Sequence, residues 1–133
     1  MTTSAWDSGC DACMPDDADA AWSRVVKLRS IATIVDESHF ITGIRRCTNC
    51  GQQFVSVFSE QVDWANSDDP QWRAIVAVKP ADVERLVALG PAGFETAFAE
   101  LPPPSRHLVR SWPGGGTAKN YWASGRVCMM PHD

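Results

Sequence analysis

His39-Phe40-Ile41-Thr42-Gly43-Ile44-Arg45-Arg46-Cys47-Thr48-Asn49-Cys50-Gly51-Gln52-Gln53-Phe54-Val55-Ser56-Val57-Phe58-Ser59-Glu60 is two β-prone runs joined by a Cys-x-x-Cys-Gly turn. His39 to Arg46 reads as a strand, and Gln52 to Glu60 as its antiparallel return. Two residues between cysteines is the spacing at which one tight turn aims both sulfurs at a single metal ion. Gly51 suits the left-handed backbone such a turn needs, and the amide N–H groups freed there point at the thiolates. Phe54 is placed to close the turn from the side and keep water off the metal.

A second pair, Cys10-Asp11-Ala12-Cys13, lies 33 residues upstream of Cys47. Two such turns supply four soft ligands, which suits tetrahedral zinc or iron. The leading ligand set is therefore Cys10, Cys13, Cys47 and Cys50, with zinc as the metal. A competing set keeps Cys47 and Cys50 and adds Cys128 and His132 from the C-terminal Cys-x₃-His. His39, which starts the strand leading to Cys47, is a possible replacement in either set. Four thiolates on Zn²⁺ leave a formal charge of about −2, so Arg45 and Arg46 beside the turn make electrostatic sense. They read equally well as a solvated strand end.

Around the hairpin the chain alternates in character. Residues 1–16 are small and acidic, ordered only if the metal pins them. Residues 17–35 read as a helix capped by Asp16 or Asp17, with Trp22, Val25 and Val26 on one face. Its β-branched tail, Ile31 to Val35, also reads as a short strand. Trp72 to Val78 reads as a third strand after the turn at Asn66-Ser67-Asp68-Asp69-Pro70. Pro80 opens a helix to about Leu89 that buries Val83, Leu86 and Val87 and stops at Gly90. A further helix from Ala92 to Leu101 points Phe94, Ala97 and Phe98 inward and ends at Pro102. Leu108 to Trp112 and Tyr121 to Met129 read as edge strands, and His107 as a surface residue. The expected fold is α+β: a small antiparallel sheet with a zinc-knuckle hairpin and two to three packed helices, in a single domain over residues 1–133.

Composition limits the classes of function. Net charge of −4 and a pI near 5.3 weigh against a dedicated nucleic-acid binder. Residues 1–20 hold five Asp and no Lys or Arg, whereas residues 101–133 are locally +3. Oppositely charged regions on one small protein point to a protein partner as readily as to a polyanion. Trp6 and the acidic loop from Glu60 to Asp69, with Trp64 in it, are candidate contact residues. No apolar run approaches the roughly 20 residues of a membrane span, and no export signal is read, so a cytoplasmic home is expected. In that reducing compartment Cys-x-x-Cys implies a metal site or a redox pair rather than a structural disulfide.

The segment from Arg46 to Phe54 resembles the knuckle of zinc-ribbon proteins, and the Cys10/Cys13 pair does so more loosely. The resemblance implies structural zinc and a β hairpin, but no activity, because such knuckles occur in proteins of many functions. The 33 residues between the two Cys pairs depart from a compact ribbon and describe a larger domain with a zinc staple.

The leading function is a non-catalytic zinc protein serving as a binding or regulatory module for a protein partner, for instance an inhibitor or immunity-type protein. One alternative is nucleic-acid binding through Arg45, Arg46 and the basic C-terminal segment with Trp112, Tyr121 and Trp122. Another is thiol redox chemistry at Cys47 and Cys50. The redox reading is weakened because a strand follows the pair, where redox motifs open a helix. Zinc hydrolysis requires an open coordination position, which four cysteines do not leave.

Overall fold

The computed structural model describes Cys10 and residues 12–61, 70–102, 104–112 and 116–127. Trp6, Trp64, most of the acidic loop, Cys128 and His132 lie outside the described residues. The elements are α1 (Ala18–Val25), β1 (Arg29–Glu37), β2 (Phe40–Arg46), β3 (Gln53–Glu60), β4 (Gln71–Val78), α2 (Pro80–Glu100), β5 (His107–Trp112) and β6 (Lys119–Ala123). The strands form one sheet in the order β1-β2-β3-β4-β5-β6, with every neighbouring pair antiparallel.

This corrects the expectation of a small sheet; the helices among the described residues fall within the two to three expected. The sheet has six strands, and the described residues hold two helical elements. One cause is the segment after α1. The helix stops at Val25, and Lys27 and Leu28 close it with N–H bonds to the carbonyls of Arg24 and Val25. Ile31 to Val35 then lies inside β1, where β-branched side chains fit the pleat better than a helix. Register shifts at Ser30/Ala32 and Thr33/Val35 let the adjacent Ile34 and Val35 both be buried. Those bulges hide the period-two signal of a strand. At the far side β5 is flanked by β4 and β6, so it is an inner strand, not an edge.

Alternation along the strands divides the sheet into two faces. One face carries Ile44, Val55, Val57, Ala74, Val76 and Val109 against Val83, Leu86, Phe94, Ala97 and Phe98 of α2. Phe94 packs on Phe40 with ring centroids 6.3 Å apart and stacks on Phe98 at 5.3 Å. Helical geometry within α2 breaks at Gly90 (φ 67°, ψ −164°), because Pro91 lacks an N–H and its ring clashes with a helical residue before it. Val87, expected in the core, is instead 45% exposed, beside the buried Leu86. His107 is likewise corrected, from surface to a core position 3% exposed.

Among the described residues the opposite face is covered at one end only. Ala21 and Val25 of α1 pack there with Cys13, Met14 and Cys47 on Phe54, Ile75, Ala77 and Leu108. The remainder of that face, around Gly43, Ser56, Phe58 and Arg73, forms an open hollow. Among the described residues no helix is long and apolar enough to cross a membrane.

Candidate metal centre

The turn between β2 and β3 is built by two backbone bonds. Cys47 N–H donates to the Gln52 carbonyl at 2.9 Å, and Gly51 N–H donates to the Cys47 carbonyl at 2.9 Å. Gly51 has φ +80°, which a residue with a Cβ adopts only under strain. The resulting loop directs the Cys47 and Cys50 sulfurs to one side. The first pair sits in a comparable turn, where N–H groups of Cys13 and Met14 donate to the Cys10 carbonyl at 3.1 and 2.7 Å. Cys10 N–H in turn approaches Cys13 Sγ at 3.3 Å.

Chain topology then brings the two turns together. Asp17 caps α1 by accepting from Ala20 N–H at 2.8 Å. The segment before the helix is held at three points. Arg106 donates to the Met14 carbonyl at 3.1 Å and pairs with Asp16 at 3.2 Å. Trp122 Nε1 donates to the Asp16 carbonyl at 2.7 Å. The Arg106 guanidinium also lies 3.8 Å above the Trp122 ring. Arg106, just before β5, and Trp122 of β6 thereby fix the first cysteine pair beside the second.

All four sulfurs lie within 4.8 Å of one another. Cys10–Cys13 measures 3.8 Å, Cys10–Cys47 3.9 Å and Cys13–Cys50 3.9 Å. A tetrahedron with metal–sulfur bonds of about 2.3 Å has edges of about 3.8 Å, so the thiols are spaced to hold one metal ion. Cys13 and Cys47 are buried, Cys10 is half-buried and Cys50 is exposed. Phe54 is fully buried in the same cluster and closes the inner side.

The electrostatics point the same way. Burial pushes the Cys13 thiol far above its ordinary pKa, with repulsion from Cys50 and Cys47 adding to it. Burial also raises Cys50, against a bond from the Gln52 N–H. At Cys10 burial acts upward as well, but the N–H groups of Cys13 and Ala12 outweigh it and leave the pKa lowered. Burial and mutual repulsion favour neutral thiols at Cys13 and Cys50, and a cation held among the four sulfurs would favour the thiolates instead. The Arg46 guanidinium supplies nearby positive charge, lying 3.8 Å from where a Gly51 Cβ would stand. Arg45 is engaged elsewhere, donating to the Val25 and Val26 carbonyls at 3.3 and 3.2 Å.

The histidine-containing alternatives fare differently. His39 Nδ1 stands 3.0 Å from Glu60 Oε1, at the opposite end of the hairpin from the cysteines, and is no part of the cluster. Cys128 and His132 lie outside the described residues. No protein-family model, curated protein or solved structure matches the chain. Sequence reasoning missed Arg73, the one basic residue within Gln71–Val78. Its signal was a lone arginine in a strand whose next five residues are buried. It also missed the burial of His107, whose Nδ1 has no partner among the described residues.

Proposed function

We propose that Cys10, Cys13, Cys47 and Cys50 bind one structural zinc ion, and that the protein is a non-catalytic binding module whose scaffold this metal completes. The observation that carries the reading is the four-sulfur cluster, with three edges of 3.8 to 3.9 Å and every sulfur within 4.8 Å of the others. Zinc suits it because four thiolates satisfy a tetrahedral ion and leave no position for substrate or water. The metal joins the segment before α1 to the β2–β3 turn across 33 intervening residues. Metal affinity is therefore folding free energy.

A protein partner is the binding role we favour. Asp17 and Asp19, at the start of α1 beside the metal site, are exposed and present negative charge, while Asp16 is paired with Arg106. Ordered charge at a surface steers association and selects partners. Redox chemistry is disfavoured by the strand, not a helix, that follows Cys50. Elemental analysis of the purified protein, with free thiols counted before and after chelation, tests the metal site. One zinc per chain and four thiols gained on its removal is the expected result. Two thiols gained, or a metal-free protein with a reversible Cys47–Cys50 disulfide, overturns it.

A further inference from the structure

The open half of the sheet face beside α1 carries arginines that no carboxylate among the described residues neutralises. Arg73 on β4 is directly opposite Arg110 on β5, and Phe58 on β3 is directly opposite Arg73 on its other side. Like charges in direct cross-strand register destabilise a sheet. Arg110 is tied down by a 3.0 Å bond to Asn120 and stands 5.1 Å over the Trp22 ring. Arg73 has no such tie. Its guanidinium stacks 4.6 Å over Phe58 and makes no hydrogen bond or ion pair with any described residue. Arg73 is exposed on this face, and partial desolvation of its stem, followed by repulsion from Arg110 and Arg45, lowers its pKa. A positive group held under those conditions favours an anion beside it.

A cavity of about 370 Å³ adjoins it. Gly43 and Ser56, cross-strand neighbours on β2 and β3, form its floor because neither carries a large side chain. Arg73 and Phe58 bound one end, Arg45 the other, and the hydroxyl residues Ser30, Thr33 and Ser56 line it. Arg45 is oriented by the carbonyls at the end of α1, and those bonds use Nη1 alone. Gly43 cannot be enlarged to fill the hollow, since a Cβ there would lie 2.7 Å from the Ala32 carbonyl oxygen. The size falls within the range of small-molecule sites, and opposed arginines with hydroxyl donors are the groups that recognise oxyanions.

We propose that this hollow binds a small molecule bearing phosphate or carboxylate groups, held between Arg45 and Arg73. The proposal deepens the binding role given above without resting on the identity of the metal. The contact with Phe58 uses the face of the Arg73 guanidinium, whose N–H groups can make bidentate contact with an oxyanion. The ligand on this face is thus acidic, whereas the exposed aspartates at the start of α1 favour a basic surface.

The test is a titration of the zinc-loaded protein with pyrophosphate and, separately, citrate, at constant ionic strength. Amide resonances of Gly43 and Ser56 and the side-chain Nε–H signals of Arg45 and Arg73 are followed. Saturable shifts at these groups are expected with at least one probe, and the better probe identifies phosphate or carboxylate as the ligand chemistry. Arg73→Gln is expected to weaken that binding about tenfold or more while its thermal midpoint, without probe, stays equal or rises as the Arg110 repulsion is relieved. Shifts that never saturate, or that keep the same midpoint in Arg73→Gln, overturn the proposal. So does response to a single-stranded oligonucleotide with none to either small probe. An intact zinc content and thiol count in the same sample shows that such a failure belongs to the hollow and not to the metal site.

Discussion

Among single residues, Cys47 and His107 carry the sharpest consequences. Cys47 is 3% exposed and packs with Phe54 and Val25, so replacing it removes a ligand and leaves a buried hydroxyl in an apolar cluster. Cys47→Ser should lose zinc and several kcal/mol of stability, of the order of 3–5, because metal binding is coupled to folding. Thermal denaturation with metal analysis checks this; an unchanged melting curve would remove the structural role. His107 acts through protons. Burial lowers its pKa in the folded protein, so folding favours the neutral ring. The unfolded chain then binds more protons below about pH 6.5, and stability is complete above that pH and falls as pH drops toward the folded value. His107→Leu should flatten the decline between pH 7 and 5 relative to wild type, in urea unfolding at each pH. An equal slope in both proteins contradicts it. Acid release of metal affects both alike, so the difference isolates the histidine.

At the level of elements, the β1–β2 pair and the β2–β3 hairpin differ in how readily the chain reveals them. Arg46↔Gln53 through Phe40↔Ser59 is an unbroken ladder whose alternating burial and Cys-x-x-Cys-Gly turn are visible in the sequence. β1 is not visible in the same way, since its bulges break the alternation and place Ile34 beside Val35 in the core. The close approach of β1 to β2 depends on Gly43, where a methyl would meet the Ala32 carbonyl at 2.7 Å. Gly43→Ala is therefore expected to destabilise the protein by about 1–3 kcal/mol, read as a lower urea midpoint. Hydrogen exchange should show the loss first at β1, and equal protection there in variant and wild type contradicts the steric account. The helices follow the same division. Pro91 and Gly90 are legible as a break, whereas the exposure of Val87, next to the buried Leu86, is settled only by how the helix packs on the sheet.

Over the whole molecule, two cores lie on opposite faces of one sheet, and the four-cysteine cluster belongs to one of them. α2 and its face rest on Phe40, Val55, Phe94 and their neighbours, with no cysteine among them. The other core mixes Cys13 and Cys47 with Ala21, Val25 and Leu108. Chelation should accordingly release residues 12–28 to fast amide exchange and protease cleavage while β2 to β5 and α2 keep their protection. Uniform loss of protection would show instead that the faces fold as one unit. From its own residues the chain determines the hairpin, the two thiol turns, the helix caps and the break at Gly90. Each depends on local spacing and backbone preference over a few positions. Tertiary structure alone settles the six-strand order, the meeting of Cys10 and Cys13 with Cys47 and Cys50, the burial of His107 and the pairing of Arg73 with Arg110. Those features join residues tens of positions apart, and what brings them together is the burial of two apolar faces, a property of the assembled sheet that no short stretch contains.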